Sequence, residues 1–298
     1  MTVAVRVRPL LPEEAQRGWS SLVDCLGGKV VVLNDPHANS EDVLRRNRSH
    51  ERRFAFDHVM DGQASQKDVY VAVGRPLLKA FVAGYTCCCF AYGPTSAGKT
   101  YSMLGTAQEP GLMMRTLVDL FKLVDKRKDT YNFEVLTCAE LTHVMKELVR
   151  GNQRRTQEAT AANATSSRSH AILLLSLRSS PREKNTTQVY RVSTFFMCDL
   201  AGSERAANTQ NTGIRMVEGQ HINRSLLALG NCINALSNPN ARDRYTNFRD
   251  SKLTRLLKEA LSGNCRTAMI AHVSPADFHF EESYNTLNYA NRAKSIKT

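Results

Sequence analysis

The stretch GPTSAGKT, residues 93–100, follows the apolar run CCCFAY and precedes YSML. It fits G-x-x-x-x-G-K-[ST], the spacing of a loop that holds the phosphates of a nucleotide. Its glycines let backbone N–H groups turn inward at phosphate oxygens; Lys99 neutralises β/γ charge, and the Thr100 hydroxyl is placed to ligate Mg2+. The flanks agree. An apolar strand ends at Tyr92, and a helix starting near Lys99 presents its positive dipole end. A chance glycine turn is the bland alternative, so the neighbouring stretches must decide.

Working outward, apolar and β-branched runs mark strands at residues 3–7, 54–59, 87–92, 133–137, 171–177, 194–200 and 267–273. Several are apolar almost throughout, as strands covered on both faces are. Helical periodicity lies between them. In HINRSLLALGNCINAL, Ile222, Leu226, Leu229, Ile233 and Leu236 form one stripe. In SKLTRLLKEALS, Leu253, Leu256, Leu257, Ala260 and Leu261 form another, leaving Lys252, Arg255 and Lys258 on other faces. Strands alternating with helices predict an α/β fold around a central sheet. The Arg-rich stretch 34–53 and the segment 238–247 read as surface loops. With no repeat and no linker, one domain over 1–298 is expected.

Two more motifs sit beside strands. NATSSRSH, residues 163–170, packs hydroxyls, an arginine and a histidine into a short polar loop, which read alone is a Ser-rich turn capping a strand. In DLAGSE, residues 199–204, a strand ends in an acidic residue with a glycine three positions on. There Asp199 can hold a Mg2+ shell while the Gly202 amide senses a γ-phosphate.

Forty basic against twenty-eight acidic residues give +12, which calls for an anionic partner: nucleic acid, membrane or an acidic protein surface. Of eight cysteines, 87, 88 and 89 lie together and the rest are scattered, without the paired C-x-x-C spacing of zinc sites. Buried, reduced thiols are the better reading. The N-terminus has no apolar signal core and no run reaches transmembrane length, so the sequence reads as a soluble intracellular protein.

RVRP (6–9), FAYGPTSAGKTYSMLG, NATSSRSH, DLAGSER, HINRSLLALGNCINAL and RDSKLTRLLKEAL, in that order, resemble the kinesin motor domain from Val3 to Thr298. The resemblance implies a P-loop NTPase fold with a mixed eight-stranded sheet flanked by helices on both faces. It implies a microtubule-stimulated ATPase using ATP and Mg2+ in the cytoplasm, on the microtubule cytoskeleton, with no nucleic-acid or membrane partner. Carried over by motif, Arg6, Arg8 and Pro9 line the adenine with Tyr101, and Gly93, Pro94, Thr95, Ser96, Ala97, Gly98, Lys99 and Thr100 cradle the phosphates. Ser166 reaches the γ-phosphate, and Ser167 joins Thr100 and Asp199 around Mg2+. Gly202 contacts the γ-phosphate, and Arg168 pairs with Glu204 when the two switches close. Arg224, Arg249, Lys252 and Arg255 face tubulin. Within the family the sequence is most similar to the kinesin-eight class, which moves to plus ends and alters microtubule length, and whose early loop (here Arg45, Arg46, Arg48, Arg52 and Arg53) contacts tubulin.

The sequence also departs from that family. After YNFEVLTCA the expected SYLEIYNE-like continuation is missing, and several dozen residues are absent beyond Ala139. Asn247-Phe248 stands where Pro-Tyr is usual, and the chain stops at AKSIKT, where a neck linker would begin, so dimerising elements lie outside it. A motor, or a motor-type depolymerase, is therefore weighed against a microtubule-binding module with weak or no hydrolysis. A nucleic-acid-dependent P-loop ATPase would explain the charge but not the two switch sequences.

Overall fold

The computed structural model describes residues 1–36, 51–135, 140–157, 169–182, 190–204, 214–237 and 246–296. The expectations for Arg45, Arg46, Arg48, Ser166, Ser167 and Arg168, and for most of 238–247, lie outside the described residues.

Ten strands are described: β1 (Thr2–Val7), β2 (Val23–Leu26), β3 (Val30–Asn34), β4 (Glu51–Ala55) and β5 (His58–Met60), then β6 (Cys87–Tyr92), β7 (Tyr131–Val135), β8 (Ala171–Pro181), β9 (Arg191–Asp199) and β10 (Arg266–Val273). The early helices are α1 (Pro12–Gln16), α2 (Gln66–Val69), α3 (Arg75–Val82), α4 (Lys99–Met103) and α5 (Leu112–Lys126). The later ones are α6 (Leu141–Gln157), α7 (Ile214–Ser237), α8 (Lys252–Leu256), α9 (Lys258–Leu261) and α10 (Phe280–Ala293).

Seven strands form the main sheet in the order β5-β1-β10-β6-β9-β8-β7. It is mixed: β5, β1, β10, β6 and β9 run parallel, and β8 and β7 pair antiparallel. The eight strands expected from the family are seven among the described residues. Alternation along each strand divides the core. Val3, Val5, Cys88 and Phe90 pack on one face with Leu226, Leu229 and Ile233 of α7, Leu253 of α8, Leu261 of α9 and Leu287 of α10. Ala4, Cys87, Cys89 and Ala91 pack on the other with Leu78 and Phe81 of α3, Leu117 and Leu120 of α5 and Val144 of α6. Each fully buried Leu or Phe contributes about 1.5–3 kcal/mol. That double cover explains why the parallel strands read as unbroken apolar runs.

Three expectations are corrected. Residues 54–59 are not one strand: β4 belongs to a separate antiparallel sheet, β2-β3-β4, whereas β5 joins β1. Arg52 and Arg53 therefore sit on a strand rather than a loop, with Arg52 stacked 4.0 Å from the Tyr284 ring and Arg53 paired to Glu51. The helix expected over 251–262 is two short helices meeting at Leu257, and the turn puts Leu256 at 52% exposure instead of in the core.

The topology places the site. Parallel pairing sets Ala91 of β6 against Asp199 of β9, so both strands end at one edge. Antiparallel pairing sets Ala171 of β8 against the same Asp199, bringing the chain entering β8 to that edge too. Open α/β sheets bind ligands beyond the carboxyl ends of such strands.

Candidate functional site

The loop after β6 turns sharply into α4. Gly93 has φ +144°, and a Cβ there would collide with the His272 carbonyl on β10, so only glycine lets the loop lie that close to the sheet. Lys99 begins α4 and is buried, its Nζ donating to the carbonyls of Gly93 (2.9 Å) and Pro94 (2.8 Å). Burial pushes its pKa down to about 8, against the pull of Glu204 and Asp199. The loop is braced from below. Ser102 of α4 accepts from Arg6 Nη1 (2.8 Å) and bonds His272 Nε2 (2.7 Å), and Arg6 also donates to Gln66 and to Ala64.

Arg8 donates to the Ser96 carbonyl (2.9 Å) and forms a 2.5 Å ion pair with Glu14. Both arginines of RVRP thus reach the loop as supports. Pro9 and the Tyr101 ring, the latter 5.2 Å from Arg6, are exposed and flank the loop mouth.

Asp199 closes the far side. Its Oδ2 accepts from the Thr100 hydroxyl (2.7 Å) and from Arg155 Nη1 (2.5 Å), while its buried Oδ1 has no hydrogen-bond partner among the described residues. Arg155, on α6, also donates to Ser169 Oγ and O. Sequence reasoning missed Arg155. Nothing in GNQRRTQ marks one arginine over another; only the helical register that buries it does.

Glu204 reaches across to the loop, accepting from Thr95 N (2.9 Å) and from the Thr95 hydroxyl. The Ser203 amide donates to the Gly93 carbonyl (3.1 Å). A Cβ on Gly202 would run into Thr95 Oγ1 and the Glu204 carboxylate, so a larger residue there would push the Glu204 side chain off the loop. The structure therefore gathers Thr95, Lys99, Thr100, Asp199, Gly202 and Glu204 at one sheet edge. The orphaned Oδ1 beside the Thr100 hydroxyl fits a hard cation, and the carboxylate seated on the Thr95 amide shows that the loop accepts an anion. A ring nitrogen of His170 accepts from the Ala201 amide at this edge; burial and then Arg155 push that histidine down to about 4.

Away from this edge, Arg224 on α7, Arg249 before α8, and Lys252 and Arg255 on α8 are all exposed, and α7 packs beside α8. The Ser251 cap on the Thr254 amide fixes where α8 starts and hence where Lys252 and Arg255 project. No helix among the described residues is long and apolar enough to cross a membrane.

Comparison with known proteins completes the description. The kinesin motor domain model matches residues 6–140 and 131–296, its two pieces joining where the sequence departs from the family pattern. Kinesin-like protein KIF19 of Xenopus laevis is 49% identical and its human counterpart 47%, each over 338 residues that cover all of this chain. Human KIF18B is 38% identical over 345 residues. The chain spans about a third of the length of the KIF19 relatives. Among solved structures, a KIF14 dimer with AMP-PNP in complex with a microtubule superposes with TM-score 0.88 at 32% identity, covering 99% of this chain and 94% of that one. A fast kinesin gives 0.86 at 28% identity, covering 100% of this chain and 92% of that one. The chain belongs to the kinesin motor-domain family, with relatives in the kinesin-eight class.

Proposed function

We propose that this chain is the motor module of a microtubule-stimulated ATPase, taking ATP and Mg2+ at residues 93–100 and working on the cytoplasmic microtubule cytoskeleton. The observation that supports this most is the convergence of Lys99, Thr100, Asp199 and Glu204 on one sheet edge. In this reading the loop amides and Lys99 bind the β- and γ-phosphates. Thr100 and Asp199 would hold Mg2+ beside the phosphates. When bound, Mg2+ offsets the charge that develops on the transferred phosphoryl group. Phosphoryl transfer asks the protein mainly for positioning, so what matters is when each group is in place. Glu204 holds Thr95, and a triphosphate competes for the same amide; nucleotide entry thus frees Glu204 to pair with Arg168, with Ser166 and Ser167 closing from the other switch. The exposed Arg224, Arg249, Lys252 and Arg255 offer the acidic tubulin surface its complement.

A second reading, a microtubule binder with weak hydrolysis, draws on one observation. The KIF19 alignments run over 338 residues against the 298 of this chain, so 40 aligned positions have no counterpart here. Steady-state ATP turnover with and without microtubules separates the two. Stimulation of tenfold or more supports the motor; co-pelleting with microtubules without stimulated turnover supports the binder. Glu204→Ala should keep ATP binding and lose about a hundredfold in turnover, because switch closure fails while the phosphate loop stays intact. Turnover equal to the parent's would show that Glu204 only braces the loop.

A further inference from the structure

The last residue of NATSSRSH, His170, is half-buried where three elements meet, and phosphate binding as described above gives it no task. It stands just before β8, and the pairing of Ala171 with Asp199 sets it against the segment that follows β9. Its Nδ1 accepts from the Ala201 amide (3.0 Å), and its Nε2 lies 2.8 Å from Ser225 Oγ on α7. The tautomer follows from these contacts. A nitrogen that accepts an N–H must present its lone pair, so in the neutral ring the proton sits on Nε2 and is donated to Ser225. Ser225 passes its own proton to the Ile222 carbonyl (2.6 Å), one turn back on α7. The bonds therefore run in one direction, from the Ala201 amide through the ring and the Ser225 hydroxyl to the α7 backbone.

We propose that His170 is a positioning residue: its ring is a rigid strut that carries movement of the 199–204 segment into helix α7. Ala201 lies between Asp199 and Gly202, so any shift of that segment on nucleotide exchange displaces its amide. Leu226 and Leu229 of α7 meet the core through apolar contacts, which have no preferred direction and let a helix slide. An imidazole has no internal rotor, and it is held here at both nitrogens. It transmits a displacement that a flexible side chain would absorb. At the other end of the strut, Arg224 stands exposed next to Ser225. The strut thus joins the phosphate edge to the element that carries a track-facing cation. This inference rests on the motor reading for its purpose, though the strut itself can be tested without microtubules.

The test uses Ser225→Ala, which removes the acceptor for the ring and leaves the nucleotide site untouched, and Ser225→Thr, which restores a hydroxyl. Hydrogen–deuterium exchange is followed in the nucleotide-free protein and with saturating Mg·ADP or Mg·AMP-PNP. In the parent, residues 222–236 should exchange differently in the two nucleotide states. In Ser225→Ala that difference should shrink at least fivefold while residues 93–100 remain protected, and Ser225→Thr should recover most of it. Without nucleotide, the Ala201 amide should exchange several-fold faster in Ser225→Ala than in the parent, because the ring loses one anchor. A merely structural histidine would lower the melting temperature yet leave the nucleotide-dependent difference unchanged, and that result overturns the proposal. A parent whose loop is protected by nucleotide while α7 does not respond overturns it as well. If nucleotide protects nothing in the parent, the Ala201 rates decide: equal rates in parent and variant overturn the strut. Should the strut hold while microtubules fail to stimulate turnover, the motor reading falls and the strut stands.

Discussion

The nucleotide edge and the basic face solve the problem of placing charge in opposite ways. At the edge, Lys99 and Asp199 are buried, and each is held by named partners: two carbonyls for the lysine, a hydroxyl and a guanidinium for the carboxylate. On the basic face, Arg224, Arg249, Lys252 and Arg255 stand in solvent, and even Leu256 is half exposed. Buried charges act through geometry, and losing one strands its partner in a medium of low dielectric. Exposed charges act through a summed field, in which each is worth little and salt weakens all of them. Single substitutions should therefore be severe at the edge and graded on the face.

The sharpest contrast should come from Arg155→Ala. Among the described residues it leaves the fully buried Asp199 with the Thr100 hydroxyl alone, and breaking a buried pair in this way costs about 3–5 kcal/mol. Denaturant unfolding should show that loss, whereas Arg249→Ala should change stability by less than about 0.5 kcal/mol. Equal effects would erase the distinction. Next comes Lys99→Ala, which should weaken ATP binding by about a hundredfold, since a charge-assisted bond is worth roughly 1.5–3 kcal/mol. Unchanged affinity in titration calorimetry would sink the site assignment.

The lysine also has a pH signature. Burial lowers its pKa to about 8 in the free protein, so below pH 8 it is already charged. A bound triphosphate favours the charged form and raises the pKa, so above pH 8 binding must take up a proton. ATP affinity should be flat between pH 6.5 and 7.5 and about tenfold weaker at pH 9 than at pH 7. Lys99→Met should lose that dependence. A parent whose affinity does not change across this range would mean that the lysine is not the titrating group at the phosphates.

The same contrast explains what could be read from sequence. The 93–100 loop and the strand before it were legible because the chemistry is contiguous: glycines, lysine and threonine at fixed spacing after an apolar run. Arg155 was not, because its role depends on α6 burying one arginine against a carboxylate 44 residues away. The hairpin of β2 and β3 was missed despite a local signal. Gly27-Gly28 between two apolar runs is a hairpin cue, and both glycines take the positive φ of such a turn. Leu256 was misplaced because the expectation ran one helical period through the break at Leu257. Lys252 and Arg255 were placed in solvent all the same, since both lie in the first helix, ahead of that break.

That face gives the smallest expected effect and the most discriminating one. Arg249→Ala combined with Lys252→Ala removes two exposed charges, each worth about 0.5 kcal/mol against an acidic surface, so microtubule affinity should fall about fivefold in co-pelleting. ATP affinity should not move, because both side chains stand in solvent away from the phosphate edge, and their charges are screened from it. Affinity of parent and variant should converge as salt rises, the sign of a field effect rather than a docked geometry. Salt dependence alone would also suit nucleic acid, whose phosphates respond in the same way. Duplex DNA is therefore run beside microtubules, and the parent should bind it weakly and the variant no differently. A parent that binds duplex tightly and ignores microtubules would reassign the basic face, and with it the reason the two regions are built so differently.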